Sequence, residues 1–188
     1  IDIDIQTAIK LRAIADVSVA FLLLLYRKEE GFRHALALFL SGQILNAIGM
    51  ILISLRGEIP LLLSAQLGNI VVYAGIALQM FAFTLVCKSR FQFKAAFAVI
   101  FLVGALLFLS IDLLLSDQTP TRAHYVLVSS LVVGCLYGLG GMGLLGAHYS
   151  SLLRKVLAGI FIVLALFYFG RVYLAQAYGM AIFTPHPV

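Results

Sequence analysis

The feature that most constrains this chain is a succession of apolar runs, each about 20 residues long, separated by short polar turns. A helix that crosses a bilayer needs about that length of apolar sequence. A membrane-spanning strand would instead alternate apolar and polar positions, and these runs do not alternate. Composition points the same way: 63% of the 188 residues are hydrophobic and 11% charged, against about half and a quarter in soluble domains. Mean hydropathy is +1.09. That excludes a water-soluble fold, and it excludes disorder, which needs low hydrophobicity and high charge.

Six runs can be delimited, at about 5–26, 33–55, 60–86, 93–115, 121–148 and 152–178. The expected fold is an all-α integral membrane protein, a bundle of six transmembrane helices forming one polytopic domain over residues 1–188. Pro60 and Pro120 stand at the openings of the third and fifth runs, where a missing N–H costs nothing. Proline-bearing turns thus recur about once per helical hairpin. This is either a weak internal repeat or the common need of hairpins of similar length. The tail Thr184-Pro185-His186-Pro187 resembles the same turns, so the expectation is a chain truncated before a seventh span.

Basic residues set the orientation. Arg27, Lys28, Arg33, Lys88, Arg90, Lys94, Arg154 and Lys155 fall at one side of the predicted bundle, and Arg56 and Arg122, with Lys10 and Arg12 at the N-terminal end, at the other. The first side is therefore expected to be cytoplasmic, with the N-terminus outside. The net charge of +5 follows from this loop placement and does not indicate a nucleic-acid partner. No secretory signal peptide is expected, because the first run lacks a basic n-region and a cleavage site.

Polar residues inside apolar runs are the candidates for function, because charges at membrane depth are costly. Asp16 lies near the middle of run 5–26 and Arg171 about two thirds along run 152–178. Either the two pair or line a polar pocket open to the outside, or Arg171 snorkels outward and Asp16 caps a neighbouring group. Gln43 and Asn46 are three apart and share a helical face. Gln66 and Asn69 repeat that spacing, with Tyr73 one turn deeper. These amides serve either as interhelical glue or as the convergent polar groups of a small-molecule site.

The run 121–148 contains Gly138, Gly140, Gly141 and Gly143, which match the dinucleotide-binding spacing. That motif needs a strand before it, so close helix packing is the reading here. Ser130, Gly134, Gly138 and Gly143 form a small-residue surface, whose partner helix is open. Cys87 and Cys135 sit in apolar runs without a disulfide or metal pattern. His34, His124, His148 and His186 fall at helix ends or turns, without a zinc-protease motif. No metal, cofactor or catalytic constellation is expected.

Certain local features carry a resemblance. An acidic start at Asp2 and Asp4 precedes the first run, and a basic turn Arg27-Lys28 with Gly31 follows it. Next come Leu55-Arg56-Gly57-Glu58-Ile59-Pro60 and then Gly68-Asn69. This pattern resembles the N-terminal multi-helix membrane region of bacterial GGDEF diguanylate cyclases, and similar regions precede histidine kinases. The resemblance implies a sensory module in the bacterial inner membrane. It would take a small-molecule or lipid-borne signal and act through a homodimer formed by a cytoplasmic output domain. It implies no catalytic residue within this chain. The alternative is a small standalone transporter or channel subunit.

Overall fold

The computed structural model describes residues 14, 33–60, 62–86, 94–114, 122–146 and 152–177. Among them every regular element is helical. We label the helices α1 (Arg33–Ser54), α2 (Gly68–Val86), α3 (Lys94–Leu114), α4 (Arg122–Leu145) and α5 (Leu152–Ala177). Four helical stretches are long and apolar enough to cross a membrane: Arg33–Ser54, Leu62–Val86, His124–Leu145 and Arg154–Leu174. In α3 the described apolar stretch, Ala95–Ile111, is shorter. The predicted first run, 5–26, lies outside the described residues except for Ile14, which is helical.

A tight turn joins α1 to α2. The Ser54 hydroxyl folds back to donate to the Ile51 carbonyl at 2.8 Å. The Glu58 N–H donates to the Leu55 carbonyl at 2.9 Å. Gly57 takes a φ of 101°, a region that only a residue without Cβ enters freely. The chain then enters α2 through a π-helix, Leu62–Leu67. Pro60 predicts an ordinary α-helical opening, and the structure differs. The wider π turn sets Ser64 and Ala65 inward while the Asn69 side-chain nitrogen donates to the Ala65 carbonyl at 2.5 Å, adding a donor at an acceptor of the π turn.

Neighbouring helices run antiparallel, and glycines set how closely they approach. A Cβ at Gly42 would stand 2.6 Å from the Gly75 carbonyl oxygen, and one at Gly49 would stand 2.7 Å from that of Gly68. Gly42 therefore faces Gly75, and seven residues further along α1, about 10.5 Å, Gly49 faces Gly68. The backbones of α1 and α2 touch at both places. In the α4 and α5 pair, Gly134 lies under the Phe169 ring, Gly138 against Ala165 and Gly141 against Ile162. Gly140 looks the other way, toward Met80 of α2. Gly104 of α3 receives Val132 of α4.

The core lies where α2, α3, α4 and α5 meet. Tyr73, Phe108, Leu136 and Leu144 are fully buried there. Tyr73 meets Phe108 edge-on at 5.8 Å, and Phe108 meets Tyr125 at 5.4 Å. Phe83 joins Phe39 of α1 to Phe161 of α5 through edge contacts of 5.4 and 5.3 Å. The outward faces are apolar as well: Leu102 and Leu106 on α3 and Val163, Leu166 and Phe167 on α5 are all exposed.

Candidate functional site

The polar residues inside these helices fall into two groups. The first occupies the seam between α1 and α2. Asn46 packs where Gly75 leaves room, its Oδ1 2.8 Å from the place a Cβ would take. Gln79 lies over Gly42, its Cγ 2.8 Å from the corresponding point. Phe39 and Phe83 touch across the seam. One turn further in, on the same rows, stand Gln43 and Gln79. All three amides are buried, with Gln43 at 8%, Asn46 at 3% and Gln79 at 8% exposure. Gln43 Oε1, Asn46 Oδ1 and Gln79 Nε2 have no hydrogen-bond partner.

The second group lies in the core. Tyr73 is midway along Leu62–Val86 and wholly buried. Its hydroxyl points to Ser129 of α4 and lies within reach of the Arg171 charge on α5. No hydrogen bond closes on that hydroxyl. The adjacent Ser130 is also wholly buried, and its Oγ has no partner. Arg171 is half-buried. Since Gly134 faces Phe169, Arg171 stands level with Val132, midway along α4. Its position two thirds along its own run predicts a shallower place. The difference arises because α5 is displaced along its axis relative to α4. Stacked Tyr137 and Tyr168, 6.0 Å between ring centres, form a wall one turn away.

The remaining predicted residues do not join these groups. Asp16 lies outside the described residues, so its pairing with Arg171 does too. The Asn69 amide is committed to the Ala65 carbonyl. Gln66 belongs to the π-helix and is half-buried. Tyr73 faces Phe108, whereas the close approach to α1 runs through Gly68, Val72 and Gly75. The spacing of Gln66, Asn69 and Tyr73 implies one face, but the π-helix changes the angular relation between residues before and after Leu67. Of the small-residue surface, Gly134 and Gly138 pack on α5 within the same chain, which supplies the partner helix that the sequence leaves open. Ser130 and Gly143 are buried in the same helix.

Gln79 and Ser129 escape sequence reasoning because neither repeats the three-residue spacing that singles out Gln43 with Asn46 and Gln66 with Asn69. The seam glycines had a readable signal: Gly42 and Gly49, like Gly68 and Gly75, are seven apart, a two-turn spacing that returns to one face. Among the described residues no group of three His, Cys, Asp or Glu could hold a metal ion. No family model, curated protein or solved structure matches the chain.

Proposed function

We propose that this chain is a membrane-embedded sensory module of the bacterial inner membrane, a six-helix bundle with its N-terminus outside. It relays a periplasmic or lipid-borne signal to a cytoplasmic output domain, in the manner of the membrane regions that precede diguanylate cyclases. The observation that supports this reading is the set of buried polar side chains without partners on α1, α2 and α4. Each unmatched buried group costs about 1–3 kcal/mol. A bundle that keeps several of them between backbones in contact is held away from its best packing. A ligand, or a second arrangement of the helices, recovers that free energy, and a difference in affinity between two arrangements is what a signal requires. In this reading the chain performs no catalysis itself, and it acts as a homodimer through the output domain.

The placement of charge agrees with this orientation. Arg33, Lys94, Arg154 and Lys155 open α1, α3 and α5, and these three helices start at the same end of the bundle. The reading frame beyond Val188 tests the proposal. A further apolar span followed by a soluble cyclase or kinase domain is the expected result. A frame that stops at Val188, together with substrate uptake by proteoliposomes of the full chain, overturns it in favour of a carrier.

A further inference from the structure

We propose that Gln43 and Gln79 form a latch across the α1–α2 seam. It is open in this arrangement of the bundle and closed in a second one, in which Gln79 Nε2 donates to Gln43 Oε1. The inference rests on the sensory reading in that it names the two arrangements and the helix that carries the difference. The glycine contacts fix the register. Gly42 faces Gly75 and Gln79, and Gly49 faces Gly68 and Val72. Gln79 is therefore level with Leu40, about 4.5 Å along the axis from Gln43. Side chains of an α-helix lean toward its N-terminus, so in this antiparallel pair Gln43 and Gln79 lean toward each other.

The neighbouring turn shows what that offset allows. Phe39 and Phe83 stand four residues from Gln43 and Gln79 on the same rows, with the same offset, and their rings meet at 5.4 Å. The two amides, one turn deeper, are thus placed to meet. The Gln79 side chain is instead folded over Gly42, its Cγ 2.8 Å from the place of a Cβ. Among the described residues Gln79 Nε2 is a buried donor without a partner, and Gln43 Oε1 a buried acceptor without one. Asn46 is the farther acceptor, about 9 Å along the axis from Gln79, with its Oδ1 against Gly75. A turn of the Gln79 side chain closes the pair without moving either backbone, so the glycine contacts hold in both arrangements. The latch reaches α5 through one ring. Phe83 leans back over the turn of Gln79 and touches Phe39 on one side and Phe161 of α5 on the other, at 5.3 Å. Phe161 is buried and meets Tyr137 of α4 in turn. Moving Gln79 therefore repacks α5, the last of the described helices.

The test uses the full chain in phosphatidylcholine nanodiscs, with 4-fluorophenylalanine in place of Phe161 alone, read by fluorine NMR. Expected are two resonances, one for each arrangement. Gln43→Leu and Gln79→Leu each remove one half of the pair. Each should shift the ratio of the resonances about three- to tenfold in the same direction, the worth of one interhelical hydrogen bond in a bilayer. The double variant should move it no further than either single. Thr84→Val should leave the ratio unchanged, because the buried Thr84 hydroxyl beside Phe83 is spent on the Phe81 carbonyl of its own helix. A second measurement covers a leucine variant that fails to fold. In a chain carrying Cys87→Ser and Cys135→Ser, Gln43→Cys with Gln79→Cys should close a disulfide under mild oxidation. Ile44→Cys with Gln79→Cys should not, since Ile44 is exposed on the far side of α1. A single resonance that no variant moves, additive effects of the two leucines, an equal shift from Thr84→Val, or a disulfide that closes as fast from position 44 overturns the latch. A latch that meets every mark, while the disulfide between positions 43 and 79 leaves the output of the native protein unchanged, stands and overturns the sensory reading.

Discussion

Replacing Gly42 by alanine tests whether α1 and α2 truly meet backbone to backbone. The new methyl would stand 2.6 Å from the Gly75 carbonyl oxygen, against an ordinary contact of at least 3.4 Å. No side-chain rotation moves a backbone oxygen, so α1 has to retreat by about 0.8 Å, the difference between those distances. A gap of that size forfeits a quarter to a half of each van der Waals contact along the seam, and overpacking of this kind costs about 1–3 kcal/mol. Gly49→Ala should cost a similar amount, because its methyl would meet Val72 at 2.6 Å and the Gly68 carbonyl at 2.7 Å. The two glycines lie on one rigid helix, so a single retreat relieves both clashes. The double variant should therefore cost clearly less than the two singles together, a coupling expected of sites that share one displacement. Gly159→Ala is the reference, since nothing lies within 4 Å of its new methyl, and helix propensity makes it neutral or stabilising by up to about 1 kcal/mol. The assay is loss of helical circular dichroism in nanodiscs against rising temperature or denaturing detergent. If Gly42→Ala and Gly159→Ala unfold alike, or if the double variant is fully additive, the rigid close seam is refuted.

Further outcomes follow from the same contacts. Asn46→Leu removes an unpartnered buried oxygen and should raise unfolding stability by about 1 kcal/mol. In the native protein the same change should blunt the response of the output domain. Phe108→Ala empties a fully buried position between Tyr73 and Tyr125 and should cost about 3–5 kcal/mol in the same unfolding assay. Asn69→Ala withdraws the donor from the Ala65 carbonyl and should speed amide hydrogen exchange in residues 62–67 while leaving α5 unaffected. Single cysteines at Glu58 and at Arg33 should label from opposite faces of sealed vesicles, and labelling from the same face would refute the hairpin's span of the membrane.

Helix positions were largely legible because hydropathy acts over about 20 residues and averages out local detail. The run at 33–55 carries α1 from Arg33 to Ser54, and the run at 152–178 carries α5 from Leu152 to Ala177. The opening of α2 was not legible. Pro60 marks where the helix opens and carries no sign of the π turn that sets Ser64 and Ala65 inward. For the site, Gln43, Asn46, Tyr73 and Arg171 stand out as polar groups in apolar sequence. Their division into a seam and a core group could not be foreseen, because helical spacing gives a residue's face and not the neighbour on that face. The depth of Arg171 depends on the axial offset between α4 and α5, a tertiary quantity that no single run contains.

The short turn between α1 and α2 bears on the order in which the molecule is made. Both partners of the glycine seam lie before Val86, so the hairpin's sequence is complete once residue 86 of the 188 has been synthesised. It can enter the bilayer and close as an insertion unit while α4 and α5 are still untranslated, since its tightest contacts are supplied from within. The core amides and hydroxyls are then assembled in sequence. Asn46 and Gln79 are enclosed first, and Tyr73 waits until Ser129 and Ser130 arrive on α4. A hairpin that has just left the ribosome therefore already holds one polar group in its final setting and not yet the other.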